Sequence, residues 1–437
     1  MSRIEDLIRM VKSLEDELVT CMRCGMCQSV CPLYAQTGKE TDVARGKLAL
    51  LDGLMKRIVE DPQGVKERLD QCLLCGSCAA ACPSGVHVLD IFFKARAILS
   101  GYVGLKPVER LILRGMLAQP ALFDRLMEWG ARIQPLFSRN ENAVVGTSCA
   151  RVLSPLIGNR HFVPLAERPF HRIVPRLSTP AGSSGLRVAL FTGCLIDKFF
   201  PNIASTTLRS LEHHGVGVFL PEDQGCCGIP SLSSGDTDAF RKLVMHNVRR
   251  FLEEPFDVLV TSCATCTSTI RKLWPMMAET FPVVVRGPMK QLSEKTMDIS
   301  AFLVSRFPEA FSEAAASADV PAQALIVTYH DPCHLRKSLG VFREPRMLLR
   351  AGSRRVREMT DADTCCGMGG SFNLKHYGIS STIGNRKAAS IRESGASVLA
   401  TGCPACMMQI SDALSRSNAA IAVKHVIELY AETLESP

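Results

Sequence analysis

The chain opens on an amphipathic pattern. Over residues 2–20, Ile4, Leu7, Ile8, Val11, Leu14 and Leu18 share one face of a 3.6-residue period among charged positions, which predicts a helix. Residues 44–59 and 65–69 keep that period and are rich in good helix formers. In a third amphipathic stretch, residues 107–137, Leu111, Leu117, Leu122, Leu126 and Trp129 alternate with arginines. The pattern then changes. Residues from 138 to about 185 are rich in Pro, Gly and Ser and read as a linker. Beyond them, short apolar runs at 188–191, 258–261, 325–328 and 397–401 predict buried strands, interspersed with helical segments such as 203–214 and 343–352. The N-terminal part is thus predicted to be helical and the C-terminal part α/β.

Cysteines sit where these elements end. Cys21, Cys24, Cys27 and Cys31, followed by Pro32, read C-x₂-C-x₂-C-x₃-C-P, and the string recurs at Cys72, Cys75, Cys78, Cys82 and Pro83. Three thiolates at every third residue wrap one [4Fe–4S] cube, while the fourth reaches the partner cluster. Two runs therefore predict a reciprocal pair of cubane clusters: Cys21, Cys24, Cys27 and Cys82 on one, Cys72, Cys75, Cys78 and Cys31 on the other. Zinc is the competing ligand, but it wants four donors and no proline-terminated run.

Ten further cysteines form two sets of five. Cys194 is followed by Cys226-Cys227-Gly228 and then Cys263-x-x-Cys266; Cys333 is followed by Cys365-Cys366-Gly367 and then Cys403-x-x-Cys406. In each set 31 residues separate the lone cysteine from the pair, and the offset between sets is 139 or 140 residues, so residues 187–437 are an internal duplication. Disulfides do not suit an odd count of 19 cysteines with adjacent pairs. Vicinal thiolates suit bridged metal atoms, and the glycine after each pair is expected to let the backbone approach a bulky inorganic core. Asn247 and Asn385 lie at matching distances past the pairs. Each predicted strand feeds a cysteine at its C-terminal end, where open α/β folds place ligands. Cys149 is left over as an idle thiol.

Composition sharpens this reading. No secretory segment opens the chain, and no run reaches the ~18 apolar residues of a bilayer span, so a cytoplasmic setting with reduced, metal-binding thiols is expected. The net charge of +8 is cancelled once metal-bound thiolates are counted. Residues 101–186 hold eleven Arg/Lys against five acids. They form either a packing spacer with solvated arginines or a docking surface for an acidic partner or an anionic membrane face. Nucleic acid is not an expected partner, since aromatics are 6% and no basic run is interleaved with stacking residues. Gly367-Met368-Gly369-Gly370 lacks the third spaced glycine of a dinucleotide fingerprint, so no flavin or nicotinamide of the chain's own is expected. His330 and His334 flank Cys333 and are candidates to tune a cluster there, while His213-His214 closes a helix and suits its dipole.

The repeated C-x₃₁-CCG-x₃₄₋₃₅-C-x-x-C pattern resembles the cysteine-rich CCG domain of the heterodisulfide reductase catalytic subunit and of flavoenzyme-associated iron–sulfur subunits. The order of helical ferredoxin, linker and two CCG domains, the stretch LKPVERLILRGMLAQPALFDRLMEWGARIQPLF and the string HDPCHL at 330–335 are similar to the iron–sulfur subunits of glycolate and lactate oxidation. The resemblance implies a multidomain protein: a helical two-[4Fe–4S] ferredoxin domain over 1–100, a basic helical linker over 101–186, and two α/β CCG domains over 187–320 and 321–437 related by a pseudo-twofold axis. It further implies two non-cubane [4Fe–4S] clusters, one on Cys194, Cys226, Cys227, Cys263 and Cys266 and one on Cys333, Cys365, Cys366, Cys403 and Cys406. The implied function is electron transfer from a partner's FAD in a glycolate or D-lactate oxidase toward a quinone-type acceptor. That role brings a place in the cytoplasm or on the inner face of the cytoplasmic membrane. The alternative implied by the same order is a heterodisulfide-reductase-like thiol/disulfide reductase; a zinc scaffold is the third reading.

Overall fold

Leu7, Val11, Leu14 and Leu18 are all buried, as the opening period requires, yet the expected single helix is two, Arg3–Lys12 and Glu15–Val19, hinged at Leu14. The computed structural model describes residues 3–150, 160–311, 324–352 and 354–434. The chain forms two compact units. One gathers Met1–Ala118, Gly228–Lys242 and Gly367–Ile383; the other comprises Gln119–Cys227, Leu243–Cys366 and Gly384–Pro437.

The first unit is helical. Ala44–Met55 buries Leu48, Leu51 and Leu54. It ends four residues before the apolar period does. Arg57 turns left-handed (φ +59°), and the N–H groups of Ile58 and Val59 fold back onto the Gly53 carbonyl. Pro62–Asp70 starts where Asp61 accepts from the Gly64 N–H at 2.9 Å and Pro62 takes the first turn. Val88–Val103 packs Ile91, Phe92, Phe93 and Leu99 into the core and carries a buried guanidinium, Arg96. That group donates to the carbonyls of Leu69 (2.5 Å), Cys72 (2.9 Å) and Ser233 (2.6 Å). Ser100 reaches the Ser234 carbonyl, and Arg114 pairs with Asp236 at 2.8 Å. The amphipathic stretch 107–137 is not continuous either. Pro107–Arg110 and a π-helical run, Leu111–Leu117, stop at Ala118, because Pro120 holds Gln119 extended (φ −126°, ψ 84°).

The second unit begins with Pro120–Phe137 and contains two sheets with a small hairpin. Strands β1 (Ser138–Asn142) and β2 (Thr147–Ala150) pair antiparallel. The first sheet takes β3 (Leu177–Ser178), β4 (Arg187–Phe191), β5 (Gly217–Leu220), β6 (Val258–Thr261) and β7 (Thr296–Asp298) in the order β3-β5-β4-β6-β7, parallel except for β3. The second takes β8 (Ile326–His330), β9 (Arg355–Val356), β10 (Val398–Thr401) and β11 (Ala422–His425) in the order β11-β10-β8-β9, all parallel. The four strands expected from apolar runs are β4, β6, β8 and β10. Their side chains, including Val188, Leu259, Val327 and Leu399, are fully or almost fully buried, as two-sided coverage demands.

The stretch read as a linker is structured over its described residues, 138–150 and 160–185; residues 151–159 lie outside them. It supplies the hairpin and the antiparallel edge strand β3, both too polar for the apolar pattern to reveal. Several of its arginines are paired: Arg172 with Glu128 at 2.8 Å, Arg176 with Glu254 at 3.0 Å, Arg139 with Glu141 at 3.3 Å. His214 does not act as a cation at its helix end. Its ring stacks on Phe307, its Nε2 lies 2.7 Å from the Tyr430 hydroxyl, and burial pushes its pKa down to about 4. Among the described residues no helix is long and apolar enough to cross a membrane.

Candidate metal centres

The two C-x₂-C-x₂-C runs share one backbone form. Arg23 and Leu74, each just before a second cysteine, are left-handed (φ +57° and +54°), and so are Gly25 and Gly76 just after it (φ +89° and +75°). Alternating left-handed residues turn each loop into a concave wrap, and holding a non-glycine there costs on the order of 1–3 kcal/mol. Such strain is retained where a loop must present thiolates in a fixed arrangement. One small cavity is lined by Cys21, Cys24, Cys27, Cys78 and Cys82, the other by Cys31, Cys72, Cys75 and Cys78. The fourth cysteine of each run thus stands beside the first three of the other.

Backbone N–H groups and buried cations serve the second of these cavities. Tyr34 N–H donates to Cys31 Sγ at 3.5 Å and Leu74 N–H to Cys72 Sγ at 3.4 Å. Burial pushes the Cys31 thiol up to about 11 and Cys78 well above the ordinary thiol range. Lys47 is fully buried, donates to the Thr41 and Asp42 carbonyls, and feels Cys72 and Cys31; Arg96 feels Cys72. Two buried cations beside buried thiols fit an anionic cluster, whose thiolates need compensating charge. Neither is legible in the cysteine motif.

In the duplicated region, strands end at cysteines. Cys194 follows β4 and lies 3.6 Å from Cys226, Sγ to Sγ; Cys226 also meets Cys227, and Cys266 meets both Cys227 and Cys263. The first set is thus a connected cluster of five thiols. In the second set Cys366 lies 3.4 Å from Cys406, and Cys406 meets Cys403. Cys365 is buried, and Cys333, half-buried, opens the helix Cys333–Leu339. The tight group of this set is Cys366, Cys406 and His330, whose donor atoms all lie within 4.8 Å of one another. Eight thiols in contact, all five of the first set and Cys366, Cys403 and Cys406 of the second, suit soft metal ions and fit the iron–sulfur chemistry of the cavities above.

The two sets, separate in sequence, touch. The Cys263 thiol faces Cys403, which is held well below the ordinary thiol range by hydrogen bonds from Cys263 and Cys406 and by Thr265, whose hydroxyl lies 3.5 Å from its sulfur. The same hydroxyl is 3.0 Å from His334 Nδ1. His425, at the end of β11, is buried between the carbonyls of Ser262 and Gly402, and burial lowers its pKa to about 4. Thr265 and His425 carry no sequence signal, because they act across the duplication.

Gly228 and Gly367 (φ +95° and +94°) have a reason to be glycine in their own backbone. A Cβ at Gly228 would lie 2.6 Å from the Phe240 ring, and one at Gly367 2.7 Å from the Ser380 carbonyl. Asn247 braces its pair, accepting from Gly225 N–H and donating to the Cys226 carbonyl, each at 2.9 Å. Asn385 instead faces Arg416 in an exposed position, and in the second set buried Lys387 holds the Asp361 carbonyl.

Wrapped dicluster loops and two converging five-cysteine sets define an iron–sulfur protein of the CCG class. A family model of a 4Fe-4S dicluster domain matches residues 17–86, and one of the cysteine-rich CCG domain matches residues 188–271 and 327–411. The chain belongs to the CCG-domain iron–sulfur family that includes the glycolate oxidase iron–sulfur subunit and lactate utilization protein A. It is 28% identical over 428 residues to a probable glycolate oxidase iron-sulfur subunit of Bacillus subtilis, covering 96% of this chain and 94% of that one. It is 31% identical over 246 residues to lactate utilization protein A of an Exiguobacterium species, covering 56% of this chain and 97% of the relative. It is also 29% identical to one of the subunits of the fumarate reductase (CoM/CoB) of Methanothermobacter marburgensis, over 94% of this chain and 71% of that one.

Proposed function

We propose that this chain is the electron-transfer subunit of an FAD-dependent 2-hydroxy-acid oxidase of the glycolate or D-lactate type, passing electrons from a partner flavoprotein toward a quinone-type acceptor. [4Fe–4S] clusters, when bound, accept and release single electrons, which is the chemistry a two-electron flavin needs downstream. Cys21, Cys24, Cys27 and Cys82 would hold one cubane cluster and Cys72, Cys75, Cys78 and Cys31 the other. The five-cysteine sets would hold two further clusters, of non-cubane type, in halves related by a pseudo-twofold axis.

The observation that carries this reading is the pair of identical loop conformations whose fourth cysteines line each other's cavities. Lys47 and Arg96 offset thiolate charge, and the strained loops hold the sulfurs in place before metal arrives. Similarity to the glycolate oxidase protein along almost the whole chain supports the class of complex. Catalysis on the hydroxy acid would belong to the flavoprotein, and the site of action would be the cytoplasm or the inner face of its membrane.

The second reading is a thiol/disulfide reductase. It draws on the likeness to the fumarate reductase (CoM/CoB) and on the contact of Cys263 with Cys403 between the sets. Anaerobic reconstitution with iron and sulfide, followed by mixing with the flavoprotein and hydroxy acid, separates the two. Acceptor reduction that requires the flavoprotein supports the first; disulfide turnover without it supports the second. Stoichiometric zinc with no iron or sulfide overturns both.

A further inference from the structure

The duplicated halves differ at the residue that ends the strand before each lone cysteine. Strand β4 ends at Phe191, which pairs with Thr261; strand β8 ends at His330, which pairs with Thr401 in the same register. Each stands three residues before the lone cysteine of its set. Phe191 is buried and stacks against Phe251, so the first set is offered sulfur alone. His330 is fully buried, and a ring nitrogen lies within 4.8 Å of the Cys366 and Cys406 sulfurs.

The hydrogen bonding assigns the ring's tautomer. His330 Nδ1 is 3.2 Å from the Ala362 carbonyl, which can only accept, so Nδ1 carries the proton. Nε2 then carries a lone pair, and among the described residues it has no hydrogen-bond partner. A fully buried, unpartnered imidazole nitrogen is costly unless something binds it. Imidazole is a good donor to iron, and its Nδ1–H bond to a carbonyl is the usual outer support of a ligating histidine.

We propose that His330 Nε2 is a metal ligand of the second CCG set, making that centre a mixed nitrogen–sulfur site while the first is sulfur-only. This rests on reading the five-cysteine sets as iron–sulfur sites. The added nitrogen is neutral, and buried Lys387 close to Cys365 and Cys366 offsets part of their thiolate charge, which makes the second centre easier to reduce. Electrons arriving at either set would then come to rest on the second, which makes it the exit point of the protein.

The test uses the whole reconstituted chain. Pulsed EPR of the reduced protein should show an imidazole nitrogen coupling that changes when histidine is ¹⁵N-labelled, a readout that needs no variant. The coupling should vanish in His330→Phe and persist in His334→Phe, with the ferredoxin-cluster signals unchanged in both; His330→Cys, which restores a soft donor, should keep the iron and lose the coupling. Should the labelled protein show no nitrogen coupling while iron and sulfide are bound at both sets, or should the coupling survive His330→Phe, the proposal is overturned. Absence of iron from both sets fails the underlying reading instead, and metal analysis tells these apart.

Discussion

The backbone N–H of Ala264 donates to the Gly402 carbonyl at 3.0 Å, tying one Cys-x-x-Cys turn directly to the other. The link runs one way only, because the residue matching Ala264 in the second turn is Pro404, which has no N–H. The backbones before them are alike: Cys263 at φ −138°, ψ 110° and Cys403 at φ −143°, ψ 114°. Ala264→Pro suits the backbone before it, but it removes the donor and sets a ring carbon against the Gly402 carbonyl. It should cost at least about 1–3 kcal/mol through the displaced and stranded carbonyl, with Ala264→Gly milder; chemical denaturation reads the difference. Equal stability of the Pro variant and the native chain would show that the link does not matter.

The crossed ligation proposed for the ferredoxin loops makes a sharp prediction. Cys31→Ser should damage the cluster of Cys72, Cys75 and Cys78, whose cavity it lines, and spare that of Cys21, Cys24 and Cys27. EPR of the reduced protein separates the two. Damage confined to the Cys21 side would mean that each run keeps its own fourth ligand.

The adjacent pairs should not be redundant. Cys227→Ser and Cys366→Ser are each expected to perturb one centre's EPR signal, leave both ferredoxin clusters intact and stop electron delivery to the final acceptor. Flavin reduction by substrate in the partner should continue, since it lies upstream. Unchanged iron content and acceptor reduction in both variants would make the pairs structural.

Asp298 predicts a pH dependence. It caps the helix Ile299–Arg306 through the Ser300 N–H at 2.9 Å, its second oxygen has no partner among the described residues, and burial raises its pKa from 3.8 to about 7, with Glu344 adding to the rise. The folded state then binds a proton that the unfolded state releases between these values. Its contribution is greatest below pH ~4 and is lost as pH climbs to ~7, by roughly 4 kcal/mol at most. Asp298→Asn keeps the cap and removes the slope. Its Tm between pH 5.5 and 7.5 should fall less than that of the native chain; parallel curves would refute the shift.

Much of this is legible in the sequence because thiol spacing and apolar runs are local signals. The four buried strands β4, β6, β8 and β10 and the cysteines at their ends follow from runs of Val, Leu and Ala that only two-sided burial explains. What stays hidden depends on residues distant in sequence. Lys47 and Arg96 look like ordinary helix-surface cations until the fold buries them, and Asn385 matches Asn247 in spacing although Arg416 claims it. The hairpin Ser138–Ala150 has too little apolar content to declare itself; it is anchored by Thr147, whose hydroxyl reaches Ser415 at 2.7 Å. His330 stands out in the sequence for its place beside Cys333, but its difference from Phe191 emerges only when the strands are in register.

The path of the chain through its helical unit has a practical consequence. Arg96 donates to the carbonyl of Ser233, and Arg114 pairs with the carboxylate of Asp236, each more than a hundred residues downstream. A fragment cut at residue 118 would lose both partners and open the buried Arg96 side of the core to water. The dicluster loops are therefore not a cassette that a single cut releases; the segment around Ser233 and Asp236 has to travel with them.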